Sequence, residues 1–342
     1  MPVLVIAEIG SVHDGSFGNA LRLIDTAADC GAGAVKFQTH IAQAETLRDA
    51  PLPPYFQGEP RFEYFQRTAF RSEQWVQLMS HAEERGLLFL SSPFSVEAVE
   101  LLESIGISQY KIPSGEVTNL PMLSVIADTG KPVLLSSGMN SFSEVDQAVK
   151  LFVRSGNRLT VLQCTSEYPC PYEQVGLNVM LEFQERYATP VGLSDHTLDN
   201  YSSFAAVTLG ASVIEKHLTF SRRMYGSDAK NSLEPAEFLD LTRGIRAIET
   251  MLGNPVDKND IGRFGQMKEI FQKSVTSLID IGAGTTITRE MLGIRKPGTG
   301  IPAAKIDKVV GTRAVRAIQA NRVIGWNDLE QPAELFATSG GR

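Results

Sequence analysis

Short apolar runs alternate with amphipathic stretches along the first three quarters of the chain. Each run is followed by a polar or glycine-bearing turn and then by apolar residues at helical spacing. The runs predict strands at 3–9, 34–38, 88–91, 109–112, 132–136, 159–163, 189–193 and 212–216. The amphipathic stretches predict helices at 19–28, 72–85, 96–104, 120–129, 143–154, 177–187, 201–209 and 234–251.

Eight strands that alternate with eight helices predict a closed (β/α)₈ TIM barrel over residues 1–255. A doubly wound open sheet is the alternative, but it would need a motif such as GxGxxG after the first strand. The chain reads GSVHDGSFG there. A long insertion at 41–70 follows the second strand, and such loops commonly form a lid or an interface.

The pattern changes beyond the predicted barrel. Residues 256–273 are charged and mixed, which indicates a linker, and 274–338 predict a small, mostly β domain of short strands and turns. Within that domain 277–292 and 314–329 resemble each other, so that Ile281 matches Ile318 and Leu292 matches Leu329. Two similar β-turn-β units are therefore expected, in a domain too small to bury a large core of its own.

Composition and charge exclude several classes of protein. Hydrophobic residues make up 43% of the 342 positions and charged residues 21%, which is ordinary for a soluble globular chain. No apolar stretch approaches the ~18 residues of a membrane helix, and the first apolar run contains Glu8 and lacks the basic start of a signal peptide. The net charge of −7 argues against nucleic acid or anionic membrane as a partner. Three cysteines cannot form a disulfide framework, so we expect a cytoplasmic protein.

Candidate chemistry lies at the carboxyl ends of the predicted strands, where barrels carry their active sites. Polar residues occur at these ends repeatedly: Glu8, Lys36, Gln38, Ser92, Lys111, Ser114, Ser136, Tyr168, Ser194, Asp195, His196, Glu215, Lys216 and His217. A polar strand end often does no more than meet solvent. Lysines on short apolar strands are harder to explain in that way, because lysine is rarely buried without a partner.

Two kinds of site follow from these residues. His196 and His217 end neighbouring strands and could hold one divalent metal, although either could be a hydrogen-bonded structural histidine. Lys36 and Lys111 could act as fixed charges for a phosphate or carboxylate, with hydroxyl donors from nearby serines. Alternatively, Lys111 or Lys216 could form a Schiff base with a carbonyl substrate.

A series of ordered motifs resembles the sialic acid synthase family, whose members condense phosphoenolpyruvate with an N-acylated amino sugar. The motifs are IAEIGSVHDGS (6–16), GAGAVKFQTH (31–40), FLSSPFS (89–95), YKIPSGEVTNLP (110–121), LLSSGMNS (134–141), LQCTSEYPCPYE (162–173), GLSDHT (192–197), IEKHLTF (214–220) and GSDAKNSLEP (226–235). The C-terminal region resembles the antifreeze-like (SAF, β-clip) domain of the same enzymes. The resemblance covers nearly the whole chain and implies a metal-dependent transferase that forms a C–C bond.

The resemblance also implies roles for individual residues. Manganese or magnesium would be held by His196 and His217. Phosphoenolpyruvate would be held by Lys36, Lys111, Ser114 and Ser136, with Ser92 nearby. Glu8 would contact the reacting centre, and the sugar would be touched by Gln38, Tyr168, Ser194 and Asp228. An arginine of the C-terminal domain would reach into the barrel of the partner subunit, which implies a homodimer with swapped C-terminal domains.

Two departures from the family pattern fall in the sugar part of the expected site. The family's Arg-Pro-Gly motif reads Arg295-Lys296-Pro297-Gly298 here, and lysine lacks the planar fork of arginine. Alanine follows Asp228, where a histidine is common. N-acetylmannosamine is the default sugar, and precursors of legionaminic, pseudaminic or spore-coat sugar acids are the alternatives. A non-catalytic sugar-binding protein is a further class, suggested only by the C-terminal domain.

Overall fold

The computed structural model describes residues 2–52 and 58–330, and its first 254 residues form a closed barrel of eight parallel strands. Each strand pairs with its neighbour in the chain, and the first pairs with the last. The strands are β1 (Leu4–Gly10), β2 (Ala34–Thr39), β3 (Leu88–Pro93), β4 (Tyr110–Ile112), β5 (Val133–Ser136), β6 (Leu159–Cys164), β7 (Val191–Asp195) and β8 (Val213–His217). The predicted barrel is confirmed, and the open sheet is excluded.

Helices surround the barrel and cover its apolar outer face. They are α1 (Phe17–Asp29), α2 (Ala42–Glu45), α3 (Arg61–Thr68), α4 (Ser72–Glu84), α5 (Val96–Ser104), α6 (Leu120–Asp128), α7 (Phe142–Ser155), α8 (Leu177–Tyr187), α9 (Tyr201–Thr208) and α10 (Pro235–Gly253). The local sequence explains where they begin and end. For α7, Ser141 and Glu144 form a capping box at the start, and Gly156 adopts a φ of 78° at the end. The short helices α2 and α3, within the insertion, were not predicted. None of the described helices is long and apolar enough to cross a bilayer.

A second compact unit begins at Pro255. It contains the helix α11 (Gly265–Phe271), inside the predicted linker, and an antiparallel pair of strands, β9 (Ser274–Ser277) and β10 (Leu292–Arg295). Further isolated bridges and short 3₁₀ turns complete it, so the prediction of a small, mostly β unit is confirmed. The predicted end of this domain, 331–338, lies outside the described residues.

The weak sequence repeat corresponds to two halves that pair with each other. Ile281 and Ile318, which match in the repeat, exchange both backbone hydrogen bonds, each 2.8 Å long. Ser277 pairs with Leu292 in the first half as Ala314 pairs with Leu329 in the second. Both isoleucines and both leucines are buried in one apolar cluster. The unit is thus built from two like halves around an approximate two-fold axis.

Candidate active site

The carboxyl ends of the barrel strands surround a cavity of about 450 Å³. Most of the residues predicted from the sequence line it: Glu8, Lys36, Gln38, Lys111, Ser114, Ser136, Tyr168, Ser194, His196, His217 and Asp228. Ser92 is buried beside the cavity, where its hydroxyl accepts a hydrogen bond from Lys36 Nζ at 3.3 Å. Arg295 and Lys296 lie in the C-terminal unit.

The alternation of side chains along the strands explains how polar groups reach the barrel interior. An apolar layer inside the barrel is made by Ile6, Ala34, Leu90, Leu134, Leu162 and Val213. Two positions further along the same strands stand Glu8, Lys36, Ser92, Ser136, Cys164 and Glu215. Because alternate residues of a strand face the same side, this second set also faces the interior. The apolar layer therefore forms the floor on which the polar site rests.

Four buried charged residues, Glu8, Lys36, Lys111 and Glu215, form what we call the paired-charge cluster. Lys36 Nζ lies 2.9 Å from Glu8 Oε2 and 3.8 Å from Glu215 Oε1. Lys111 Nζ lies 3.1 Å from the same Glu215 oxygen. Each member is at most 5% exposed. The cluster balances two ammonium groups with two carboxylates, which lets the protein bury all four.

The pKa values in this cluster follow from how many partners each group has. Burial works against the Lys36 ammonium, but the carboxylates of Glu215 and Glu8 outweigh it and raise its pKa. Burial lowers the pKa of Lys111, because Glu215, the main group that opposes the effect of burial, does not outweigh it, and Lys36 repels the ammonium. Burial also works against the Glu215 carboxylate, yet Lys111 and Lys36 together lower its pKa. Glu215 therefore stays ionised between the two lysines.

On one side of the cavity, serine hydroxyls and backbone from the loops after β4, β5 and β6 lie beside the paired-charge cluster. An added Cβ at Gly138 would lie 2.4 Å from Ser166 Oγ and 2.7 Å from Ser114 Oγ, so only glycine fits this close approach. The Asn140 side chain donates to the Ser114 carbonyl oxygen at 2.8 Å and holds the two loops together. Ser136 Oγ is buried and makes no hydrogen bond within the described structure. It is available to an anion that enters beside the lysines.

The two histidines lie on neighbouring strand ends, with ring centroids 5.7 Å apart. His196 Nδ1 donates to the Thr165 carbonyl oxygen at 2.7 Å, which leaves the Nε2 lone pair free. Burial, and then His217, lower the pKa of His196 to about 3, so its ring is neutral. His217 Nδ1 is buried and makes no hydrogen bond to the described residues. The pair suits one divalent metal.

The protein side of such a metal site is incomplete. No group of three or more histidine, cysteine, aspartate or glutamate side chains placed to hold a metal occurs in the described ranges 2–52 and 58–330. Two imidazoles are the ligands that fit, so remaining positions would be filled by substrate oxygens and water. The Tyr168 ring packs 4.1 Å from that of His196 and covers one side of it.

Lys216 lies outside the cavity, contrary to one of the alternatives raised from the sequence. Its Nζ is 2.8 Å from Asp195 Oδ2 and donates to Thr197 Oγ1 at 2.9 Å. Ser202 and Ser203 complete the coordination of the same Asp195 oxygen. Because side chains alternate along a strand, this buried pair faces away from the site while the neighbouring histidines face into it. Its role is structural, and it excludes Lys216 as a Schiff-base lysine within the cavity.

Asp228 closes the cavity opposite the serines. Its Oδ2 accepts the backbone N–H of Ser11 at 3.0 Å. An added Cβ at Gly10 would lie 2.4 Å from that oxygen, and Gly10 has a φ of +52°, so glycine is required on both grounds. The loop from β1 and the segment after β8 are joined at this point.

Sequence reasoning missed the wall that the insertion contributes. Arg61, Tyr64 and Phe65 of α3 line the cavity, together with Phe94 and Glu116. The α3 residues follow no barrel periodicity, and only the tertiary fold brings them to the site, whereas Phe94 and Glu116 lie just after β3 and β4. Glu215 was noted beside His217, but its place between two lysines was not foreseen. The available signal was the alternation along β8, which places residues 213, 215 and 217 on one face of the strand.

Comparison with known proteins gives a consistent picture. The NeuB family model matches residues 23–257, and the SAF domain model matches residues 273–330. The chain is 36% identical over 329 residues to N,N'-diacetyllegionaminic acid synthase of Campylobacter jejuni, covering 94% of this chain and 98% of that protein. It is 34% identical over 336 residues to N-acetylneuraminate-9-phosphate synthase of Mus musculus, covering 96% and 93%.

Among solved structures, N-acetylneuraminic acid (sialic acid) synthetase from Leptospira borgpetersenii superimposes with a TM-score of 0.68 at 31% identity. The match covers 78% of this chain and 91% of that one.

Proposed function

The chain belongs to the NeuB family, and we propose that it condenses phosphoenolpyruvate with an N-acylated amino sugar. The products would be phosphate and a 2-keto-3-deoxy sugar acid, nine carbons long if the acceptor is an N-acetylhexosamine. One observation carries the proposal: the paired-charge cluster, the unpartnered Ser136 hydroxyl and two imidazoles line a single cavity. A trianionic substrate and a polarised aldehyde can meet there.

Phosphoenolpyruvate would bind to Lys36, Lys111, Ser114 and Ser136. Lys36 already contacts Glu8 and Ser92, and Lys111 contacts Glu215, but an ammonium group carries three N–H donors. The remaining donors and the unpartnered Ser136 hydroxyl can take phosphate and carboxylate oxygens. Ser92 would keep Lys36 in place from behind.

His196 and His217 would hold manganese or magnesium. When bound, such an ion polarises the sugar aldehyde as a Lewis acid. The neutral His196 ring, oriented by its bond to Thr165, supports this assignment.

In the reaction, C3 of phosphoenolpyruvate would bond to the aldehyde carbon, whose oxygen takes a proton and becomes a hydroxyl. The cation left at C2 would be trapped by water, which loses a proton. The bond between C2 and the bridging oxygen would then break, phosphate would leave with that oxygen and its electron pair, and the new C2 hydroxyl would lose its proton to become the keto group. Glu8, held between Lys36 and Gln38, is placed to orient the aldehyde or carry a proton.

The acceptor sugar would contact Gln38, Tyr168, Ser194 and Asp228. N-acetylmannosamine is the default acceptor. The similarity to a diacetyllegionaminic acid synthase supports a diamino-trideoxy hexose as the alternative, and a spore-coat sugar acid precursor is a further one. Arg295 or Lys296 would reach the N-acyl group from the C-terminal unit of a partner subunit.

A homodimer with swapped C-terminal units has support from the surface of the predicted linker. Phe264, Met267, Ile270 and Phe271 are each at least 43% exposed. Apolar side chains gathered on one short segment are typical of a surface that another chain covers.

A panel of amino sugars with phosphoenolpyruvate and manganese, read by phosphate release, tests the function. Phosphoenolpyruvate labelled with heavy oxygen at the bridging position should deliver the label to the released phosphate. Unlabelled phosphate would refute cleavage of the C–O bond.

A Schiff-base aldolase is the second candidate, favoured only by the lowered pKa of Lys111. Borohydride with substrate would then trap a covalent adduct on Lys111 and turnover would need no metal. The proposed synthase forms no such adduct.

A further inference from the structure

A continuous chain of hydrogen-bonded side chains runs from the insertion after β2 to Glu8. His40 Nδ1 lies 2.8 Å from Glu45 Oε1, at the end of α2. His40 Nε2 lies 3.0 Å from Gln38 Oε1, and Gln38 Nε2 donates to Glu8 Oε1 at 2.7 Å. The His40 and Glu45 side chains are only 5% and 4% exposed. This row of hydrogen bonds thus ends on a buried carboxylate in both directions, Glu45 at one end and Glu8 at the other.

The hydrogen-bond acceptors on either side of His40 indicate which of its ring nitrogens carry a proton. The Glu8 carboxylate can only accept, because its other oxygen is paired with Lys36 at 2.9 Å. Gln38 must therefore turn its NH₂ group to Glu8 and its carbonyl oxygen to His40. Both ring nitrogens of His40 then face oxygen acceptors. Only an imidazolium carries a hydrogen on each nitrogen.

The surroundings of the ring suit a cation. His40 is stacked between Phe65 and Phe94, with centroid distances of 3.7 and 4.2 Å and interplanar angles of 11° and 23°. Aromatic faces attract cations, and the Glu45 carboxylate balances the charge at short range. The two parallel contacts also fix the plane of the ring, and with it the direction of the bond to Gln38.

We propose that His40 is a positioning residue for the reaction. As an imidazolium between Glu45 and Gln38, it fixes the Gln38 amide in the orientation that offers an N–H to Glu8. Glu8 then has one oxygen held by Gln38 and the other by Lys36, so its carboxylate keeps a single geometry toward the reacting centre. The inference rests on the proposed function and extends it to a residue that none of the assigned roles includes.

The kinetic test uses two variants of the full chain. His40→Phe can keep the stack with Phe65 and Phe94 while it removes both N–H donors. We expect kcat to fall about 10- to 100-fold, the size expected when a reacting group is slightly misplaced, with the KM for phosphoenolpyruvate near the wild-type value. Glu45→Gln keeps the size of the side chain and should lower kcat in the same direction. His81→Phe is the control, because His81 bonds Asp25 between α4 and α1, and should leave kcat unchanged.

Nitrogen NMR of the histidine-labelled full chain reads the ring directly. The chain has five histidines, and the His40 signals are those absent from the His40→Phe spectrum. Because both ring nitrogens face oxygen acceptors, we expect a proton on each of them. A ring with one unprotonated nitrogen, or a folded His40→Phe variant with wild-type kcat, would overturn the proposal. If the wild-type protein condenses no sugar, the proposed function fails, while the spectrum still decides the state of His40.

Discussion

The barrel and the C-terminal unit differ in how many charged side chains they bury. The barrel buries six of them in ion pairs, none more than 5% exposed: Glu8, Lys36, Lys111, Asp195, Glu215 and Lys216. In the described part of the C-terminal unit, one charged residue is buried, Asp328, and Arg316 pairs with it. Burying charge is costly and is seldom a gain in stability. Four of the six, Glu8, Lys36, Lys111 and Glu215, line one cavity, and this concentration marks a candidate site.

The C-terminal unit gives no comparable signal for the two residues proposed to act from it. Arg295 and Lys296 are both exposed. Arg295 bonds the Asn321 side chain, and Lys296 Nζ lies 4.9 Å from the centre of the Phe271 ring. These are ordinary surface contacts, so the role of either residue depends on a partner. The comparison teaches that a buried cation lining a cavity can be recognised as a site candidate from one chain, whereas the proposed role of an exposed cation such as Arg295 or Lys296 can be tested only with a partner.

The largest effect is expected from removing the metal proposed to bind His196 and His217. Chelation, or His217→Ala, should lower turnover by about a thousandfold or more, because several kcal/mol of transition-state stabilisation are lost. Manganese should restore the chelated protein but not the variant, as measured by phosphate release.

The matched control is His81→Ala, on the outside of the barrel. It should keep full activity and the same response to chelation. Full turnover by exhaustively chelated wild-type protein would show that the reaction needs no metal at His196 and His217.

The effect of the paired-charge cluster on the free energy of unfolding can be measured separately from its effect on activity. Glu215→Ala leaves Lys111 buried without its carboxylate, and breaking such a pair should cost about 3–5 kcal/mol in the free energy of unfolding. The double change Lys111→Met with Glu215→Leu should recover most of that stability, since no charge is then left unpaired. Denaturant unfolding and phosphate release measure the two properties.

The double variant should nevertheless remain inactive. A double variant as unstable as Glu215→Ala would mean that the packing of the cavity, and not unpaired charge, sets the cost. Recovery of turnover would remove Lys111 from the phosphoenolpyruvate site.

Complementation tests whether the exposed cations act across chains. Glu8→Ala and the double change of Arg295 and Lys296 to Ala should each be nearly inactive. Reassembled in equal amounts, they should recover roughly a quarter of wild-type activity, since half of the dimers are mixed and each has one intact site. No recovery, despite proven exchange of subunits, would mean that the loop does not serve the partner's barrel.

The parts that the sequence predicted well are those where burial imposes a pattern. All eight strands were located to within two residues at each end, because β-branched runs between glycine-ended helices fit few other structures. The cavity wall from α3 was missed, since Arg61 and Phe65 reach the site through the path of an irregular insertion. The role of His40 could not be predicted for the same reason, because its partners Glu45 and Phe94 are brought to it by tertiary structure.

The smallest expected effect is on the stability of the C-terminal unit. Its two halves repeat each other, whereas the barrel strands end in different residues. Ile281 and Ile318 are 2% and 6% exposed and hydrogen-bond each other symmetrically. Ile281→Val and Ile318→Val should therefore each cost the same, about 0.5–1.5 kcal/mol. Hydrogen exchange of the two amides measures this locally, without requiring the whole chain to unfold in one step. Both variants should speed exchange of both amides by a similar factor, because opening either half breaks the shared pair. If amide exchange became faster only in the mutated half, the two halves would open separately. The sequence repeat would then not correspond to a shared core.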